Sequence, residues 1–129
     1  MSRYDTGSKT FKGAYEGIMK ESSVERKLVE GCRKAGALAW KFTSPGRSGV
    51  PDRIVLLPGG QLIFVELKTE TGRLTALQKQ THNLLKGYGF DVRTLKGAKD
   101  VEVFLFEVSH RCKGVRPSAI QTMGLSEDG

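Results

Sequence analysis

Apolar residues recur along the chain with the periods of helices and of strands, and these periods predict its elements. In residues 22–36 they form a single stripe, which predicts an amphipathic helix that ends at Gly36. The members of this stripe are Val24, Leu28, Cys32 and Ala35. Residues 37–43, 53–57, 62–65 and 90–95 are short apolar runs rich in branched or aromatic side chains, which favours four strands.

Two later segments also have the helical period. A capping box opened by Thr75 begins the first of them. Its predicted inward residues are Leu77, Thr81, Leu84, Leu85 and Tyr88. The second covers residues 100–109, and its predicted inward residues are Val101, Phe104, Leu105 and Val108. A strand is the alternative for this segment, because Val103 and Phe106 also suit one. The order helix, three strands, helix, strand, helix predicts an α/β fold: one mixed sheet covered by helices, with its fourth strand joined through a crossover helix.

A hairpin in the middle of the chain carries the most distinctive polar residues. Asp52 precedes its first strand, and Glu66 and Lys68 lie two residues apart near the end of its second strand, so these two side chains project from one face. The Gly59-Gly60 pair favours a two-residue loop, which would turn Asp52 away from Glu66. Convergence of the two carboxylates therefore requires a bulge or a loop with an odd number of residues.

Two carboxylates that converge across a hairpin form a hard oxygen site suited to Mg²⁺ or Mn²⁺. A neighbouring lysine can orient an attacking water and offset negative charge on a phosphate, which is the chemistry of phosphodiester hydrolysis. The structural alternatives are a turn at Pro51-Asp52 and a solvated ion pair between Glu66 and Lys68, worth about 0–1 kcal/mol. Phe64 shares the face of Glu66, which indicates a strand covered on both sides, where a carboxylate needs a partner or a metal.

Composition narrows the class of protein. With 129 residues the chain is long enough for one hydrophobic core. Its net charge of +7, from 21 Lys and Arg against 14 Asp and Glu, favours a polyanionic partner. The two cysteines lack metal-ligand spacing, which argues against a zinc site at His82 or His110. Because no apolar run approaches the roughly 20 residues of a membrane span, we expect a cytoplasmic protein without membrane contact.

Several short motifs, taken together and in order, resemble the VRR-NUC family, the virus-type replication-repair nucleases of the PD-(D/E)xK superfamily. Pro51-Asp52 matches the PD element, and Glu66-Leu67-Lys68 matches the ExK element. The resemblance spans about residues 22–106 and rests on Gly49-Val50-Pro51-Asp52, Pro58-Gly59-Gly60, Phe64-Val65-Glu66-Leu67-Lys68, Gly72-Arg73-Leu74 and Gln78-Lys79. It implies a restriction-endonuclease-like α-β-β-β-α-β core.

The resemblance also implies roles for individual residues of the site. Asp52, Glu66 and the backbone carbonyl of Leu67 would bind Mg²⁺ or Mn²⁺, and Lys68 would position the nucleophilic water. Glu25 would assist as a further metal ligand, directly or through water.

The resemblance also adds Gln78 to the predicted catalytic set. In the family, a glutamine at this helix start would lie near the reacting phosphate or water. Both Gln78 and Glu25 have a structural alternative, because each is the fourth residue of a capping box, opened by Thr75 and by Ser22 respectively.

The predicted DNA contacts are Arg47, in the small basic loop of residues 43–49, together with Arg53 and Lys79. A solvated face is the alternative for Lys79. Since no base-reading motif accompanies these residues, we expect recognition of backbone path and junction shape, with affinity that falls steeply with salt.

Small standalone proteins that look like this chain are associated with Holliday-junction resolution. The resemblance therefore implies a metal-dependent, structure-selective DNA endonuclease that cuts four-way junctions as a homodimer. A flap nuclease or general nickase is the alternative among enzymes, and a non-catalytic basic DNA-binding module is the alternative outside them. We expect an N-terminal arm in residues 1–21, a nuclease domain in 22–110 and a tail in 111–129.

Overall fold

A computed structural model describes residues 21–115 of the protein. Its elements follow the predicted order: helix α1 (Glu21–Ala35), strands β1 (Leu38–Lys41), β2 (Arg53–Leu57) and β3 (Gln61–Lys68), helix α2 (Ala76–Gly87), strand β4 (Asp91–Lys96) and helix α3 (Gly97–Cys112). One sheet contains the strands in the order β1-β2-β3-β4. The first three strands pair antiparallel, and β4 pairs parallel with β3 through the crossover helix α2, which confirms the predicted mixed sheet.

The hydrophobic core lies between one face of the sheet and helices α1 and α3. Ile63, Val65 and Leu67 alternate along β3 and are fully buried on this face. The predicted inward stripes of both helices are confirmed, since Val24, Leu28, Cys32, Val101, Phe104 and Val108 are buried and Ala35 and Leu105 pack against them. Gly36, with a φ of 99°, ends α1 as predicted.

Helix α2 turns a different face to the sheet from the one predicted. Its inner stripe follows the spacing i, i+3, i+4, i+7 and consists of Gln78, Thr81, His82 and Leu85. The prediction that Leu77, Leu84 and Tyr88 point inward is wrong, because these side chains are 46%, 45% and 77% exposed. The physical reason is that α2 packs over the part of β3 that carries Glu66, where polar side chains find partners and apolar ones do not.

The β2–β3 hairpin has the odd-numbered loop that convergence of the two acids requires. Leu57 pairs with Gln61, so residues 58–60 form a three-residue loop in place of the two-residue loop that the glycine pair favoured. Gly59 and Gly60 have φ values of 93° and 83°, which glycine adopts without strain. Continuing the register beyond the Arg53 to Val65 pair sets position 52 opposite position 66.

The loop that leads into Asp52 is fastened to α2. Thr81 Oγ1 donates a 2.9 Å hydrogen bond to the carbonyl of Ser48. Gly49, with a φ of 82°, lies so close to the helix that an added Cβ would be 2.7 Å from the Leu77 carbonyl oxygen. The chain segment that carries Asp52 and the helix that carries Gln78 are therefore held together at this point.

We expect Gly49→Ala to destabilise the fold by about 2–4 kcal/mol, because it adds a backbone clash to an unfavourable φ. Gly59→Ala is the matched control, since its φ is also positive but nothing lies within 4 Å of the added Cβ. It should cost only about 1 kcal/mol of backbone strain. Denaturant unfolding of both variants measures the difference. Equal losses would show that the contact between Gly49 and α2 contributes nothing.

The predicted arm lies outside the described residues except for Glu21, and most of the predicted tail does too, so the domain boundaries stay predictions. None of the helices in the described region is long and apolar enough to cross a membrane.

Candidate active site

The carboxylates of Asp52 and Glu66 converge at one end of the sheet. Asp52 lies just before β2, and both of its carboxylate oxygens are 3.4 Å from the backbone N–H of Leu67, which donates to them. Glu66, the neighbour of Leu67 in β3, projects from the face of the sheet that α2 covers. The sequence prediction that these two acids share a site agrees with this geometry.

Glu66 is buried, and polar side chains surround it. Its Oε2 accepts a hydrogen bond from Gln78 Nε2 at 3.2 Å and lies 3.5 Å from Lys68 Nζ. Its Oε1 lies 3.7 Å from His82 Nε2. With only 4% of its surface exposed, Glu66 is not part of the solvated ion pair that was the alternative for Glu66 and Lys68. One face of β3 thus presents a carboxylate and an ammonium group side by side.

The electrostatics of the site favour a bound cation. The pKa of Asp52 is raised from 3.8 to about 7, mainly by burial and next by the charge of Glu66, while the hydrogen bond from the Leu67 N–H opposes the rise. Two carboxylates in a desolvated site repel each other, and a divalent cation relieves this repulsion. Carboxylate oxygens are also the ligands that Mg²⁺ and Mn²⁺ prefer, so the residues present fit such an ion.

The raised pKa predicts how metal-free stability depends on pH. Between pH 4 and pH 7 folded Asp52 retains a proton that the unfolded chain has lost, so its contribution to stability is lost as pH rises through that window. We expect the free energy of unfolding to fall by on the order of 2 kcal/mol. This is less than the full pKa shift would give at roughly 1.4 kcal/mol per unit, because solvent screens the half-buried group.

Asp52→Asn should abolish this pH dependence, and Mg²⁺ or Mn²⁺ should stabilise the wild type but not the variant. Thermal unfolding from pH 4 to pH 8, with chelator or with metal, measures both effects. Parallel curves for the two proteins in chelator would contradict the electrostatic account of the site.

Glu25 borders the site from α1. Its Oε1 lies 3.9 Å from Arg53 Nη2, and its charge contributes to the raised pKa of Asp52. Ser22 lies within the described part of α1, which begins at Glu21, and the capping box stays the structural alternative for Glu25. Arg53, predicted to contact DNA, is only 9% exposed and donates to the Ala39 carbonyl at 3.3 Å. Its contact with DNA stays a prediction, while its geometry favours a role in holding Glu25.

Gln78 forms the predicted capping box and also contacts Glu66. It forms the capping box with Thr75, whose hydroxyl accepts from the Gln78 N–H at 3.1 Å and whose N–H donates to Gln78 Oε1 at 2.9 Å. The side-chain nitrogen of Gln78, Nε2, donates to Glu66 Oε2. The start of α2 is therefore fixed to the carboxylate of β3. Arg47 and Lys79 are both exposed, as a contact with DNA requires.

His82 is the residue that sequence reasoning missed. It is 2% exposed and lies against Glu66. From the sequence, His82 was discussed only as a zinc ligand, and that role was argued against. Burial and the charges of Lys86 and Lys68 lower its pKa. One signal was present: His82 follows Gln78 by four residues, so both side chains share a helix face.

Few side chains of the described region are available to bind a metal. Within residues 21–115, no three His, Cys, Asp or Glu side chains are arranged as a metal site. Asp52 and Glu66 supply two carboxylates at this end of the sheet. This suits Mg²⁺, which is usually held by one or two carboxylates together with waters and phosphate oxygens.

Comparison with known proteins shows similarity to a nuclease family. The family model of the VRR-NUC domain matches residues 13–99. A protein of Acyrthosiphon pisum secondary endosymbiont phage 1 named “Putative nuclease p44” is 46% identical over 78 residues, which are 60% of this chain and 84% of that protein. A solved structure titled VRR_NUC domain has a TM-score of 0.63 at 31% identity and covers 67% of this chain and 94% of its own.

A second solved structure, a VRR_NUC domain protein, has a TM-score of 0.54 at 17% identity over 70% of this chain and 88% of its own, and shows the same fold. The mixed four-stranded sheet flanked by helices is thus a restriction-endonuclease-like core. The chain belongs to the VRR-NUC family of nucleases.

Proposed function

We propose that the protein is a Mg²⁺- or Mn²⁺-dependent DNA endonuclease that selects branched DNA and resolves four-way junctions as a homodimer. The observation that carries this proposal is the paired carboxylates of Asp52 and Glu66, with Lys68 Nζ 3.5 Å from Glu66, in a chain of a nuclease family. We also propose that it acts on DNA in the cytoplasm.

Asp52 and Glu66 would hold the cation, with the Leu67 carbonyl as a third ligand. The N–H of Leu67 points to Asp52, and the N–H and C=O of a strand residue lie on the same side of the strand. That carbonyl therefore also faces the site. Glu25 lies at the border of the site, where it would bind the cation directly or through water.

When bound, the cation would lower the pKa of an attacking water and offset charge that develops on the phosphate. Hydrolysis forms one bond from the water oxygen to phosphorus and breaks one phosphodiester bond. Lys68 would orient that water and stabilise the added negative charge through Nζ. Gln78 holds Glu66 in place and, at the start of α2, lies where its side chain could also meet the scissile phosphate.

The basic side chains near the site suit a DNA backbone. Arg47 is exposed in the loop that leads to Asp52, and Lys79 is exposed on the first turn of α2. Charge of this kind favours binding that depends on salt and on the path of the phosphates rather than on base sequence.

A homodimer would supply the two active sites that paired cuts in a two-fold symmetric junction require. Helix α2 presents Leu77, Leu84 and Tyr88 on one outer face, followed by Phe90, which is 49% exposed. Exposed apolar side chains grouped on one face favour a contact with another protein. We propose that a second copy of the chain covers it.

Cleavage of a labelled four-way junction, a flap, a nicked duplex and a linear duplex of matched sequence tests the substrate class. The proposal expects paired nicks across the junction in Mg²⁺ or Mn²⁺, little cutting of linear duplex, and a dimeric mass in light scattering. Flap cleavage alone would favour the flap nuclease, and nicking of every substrate by a monomer would favour the general nickase. Tight binding without cleavage in any metal would favour the DNA-binding module.

A further inference from the structure

His82 is a buried polar residue whose presence packing alone does not explain. It lies on the inner face of α2 and is 2% exposed. Among the described residues its Nε2 atom has no hydrogen-bond partner. A buried polar atom without a partner costs about 1–3 kcal/mol, so an apolar residue at this position is expected to leave the metal-free fold at least as stable.

The orphaned Nε2 atom faces the Glu66 carboxylate. It lies 3.7 Å from Glu66 Oε1, slightly beyond a hydrogen bond, and a small rotation of either group would close this gap. The other oxygen, Oε2, is already contacted by Gln78 Nε2 and Lys68 Nζ. Gln78 and His82, one turn apart on α2, therefore approach the two oxygens of one carboxylate.

The position of α2 over β3 is itself fixed. Thr81, next to His82, donates to the Ser48 carbonyl, and Gly49 packs against the backbone of the helix. These contacts anchor α2 to the loop before Asp52, and the hydrogen bond from Gln78 links it to Glu66 of β3, so His82 has the fixed placement that a positioning group needs.

We propose that His82 is a positioning residue for Glu66: it donates its Nε2 hydrogen to Oε1 and so fixes the orientation in which this carboxylate binds a divalent cation. The inference rests on the proposed function, in which Glu66 is a metal ligand. A carboxylate has about four lone-pair sites, so Oε1 can accept from His82 and still bind a cation. Groups that orient metal ligands in this way typically change metal affinity 10–100-fold when replaced.

Three substitutions separate positioning from core packing. His82→Leu removes the donor and fills the space, His82→Gln places an amide N–H near the position of Nε2, and His82→Asn places it near Nδ1 instead. Mn²⁺ affinity by titration calorimetry is the first readout, on full-length protein without DNA. Thermal unfolding in chelator is the second. Wild type and Glu66→Gln are the references for both.

We expect His82→Leu and His82→Asn to weaken Mn²⁺ affinity about 10-fold or more, and His82→Gln to restore most of it. Melting of His82→Leu in chelator should be unchanged or higher. The inference would be overturned if His82→Leu bound Mn²⁺ as tightly as wild type and Glu66→Gln did not bind it. If His82→Leu fails to fold, equal affinities of the Gln and Asn variants would overturn it. Mn²⁺ binding that is indifferent to Glu66→Gln would instead refute the proposed function, and the inference with it.

Discussion

Glu66→Gln is expected to reduce DNA cleavage by at least about 10³-fold at saturating Mg²⁺ or Mn²⁺, with DNA affinity changed little. The amide is isosteric with the carboxylate but carries no charge, so it cannot hold a divalent cation against water. Metal-free stability should not fall, because the substitution removes the charge that repels Asp52. Single-turnover cleavage, DNA binding in chelator and thermal unfolding measure the three quantities.

Glu30→Gln is the matched control for this substitution. Glu30 is exposed on α1, so the same chemical change there should leave cleavage unchanged. If Glu66→Gln cuts as fast as wild type, Glu66 is not part of a metal site. A variant that loses cleavage only because it unfolds would show a lower melting temperature, which the account does not expect.

Lys68→Met should lower the rate of cleavage by about 10²–10⁴-fold while Mn²⁺ affinity changes little. Its Nζ lies beside the carboxylate and is only one-fifth exposed, so it acts in the site and not on the surface. The loss should appear in kcat rather than in KM, because the interaction with developing charge is made mainly in the transition state.

Lys34→Met controls for the loss of one positive charge. Lys34 is exposed in the last turn of α1, about 13 Å along the helix from Glu25, and its replacement should affect only weak, salt-dependent DNA binding. Equal effects of the two lysine substitutions on kcat would contradict a role for Lys68 in the reaction.

The inward faces of the helices that bury apolar stripes could be predicted from the sequence, and the inward face of the helix that covers polar residues could not. Val24, Leu28 and Cys32 recur with the helical period and are fully buried, because the core is what their helix packs against. Helix α2 packs over Glu66 instead. Its inner stripe is therefore polar, and a rule that sends apolar residues inward assigned the wrong face.

The approach of Lys68 to Glu66 could be predicted because strand geometry fixes their spacing. The register that brings Asp52 to them depended on whether residue 58 belongs to the loop. Pro58 lacks an N–H and cannot donate to the strand ladder, a signal that would have favoured the three-residue loop. The burial of Arg53 beside Glu25 could not be predicted from the sequence, because Glu25 lies on a different element, far from Arg53 along the chain.

The proposed roles of these residues all depend on one claim, that Asp52 and Glu66 form a metal-dependent nuclease site. The most direct test is single-turnover cleavage of one labelled four-way junction by the wild-type protein in Mg²⁺, in Mn²⁺ and in chelator. The account predicts nicking with either metal, none in chelator, and restoration when metal is added back in excess. Cleavage that persists in chelator, or binding of the junction without cleavage in either metal, would contradict it.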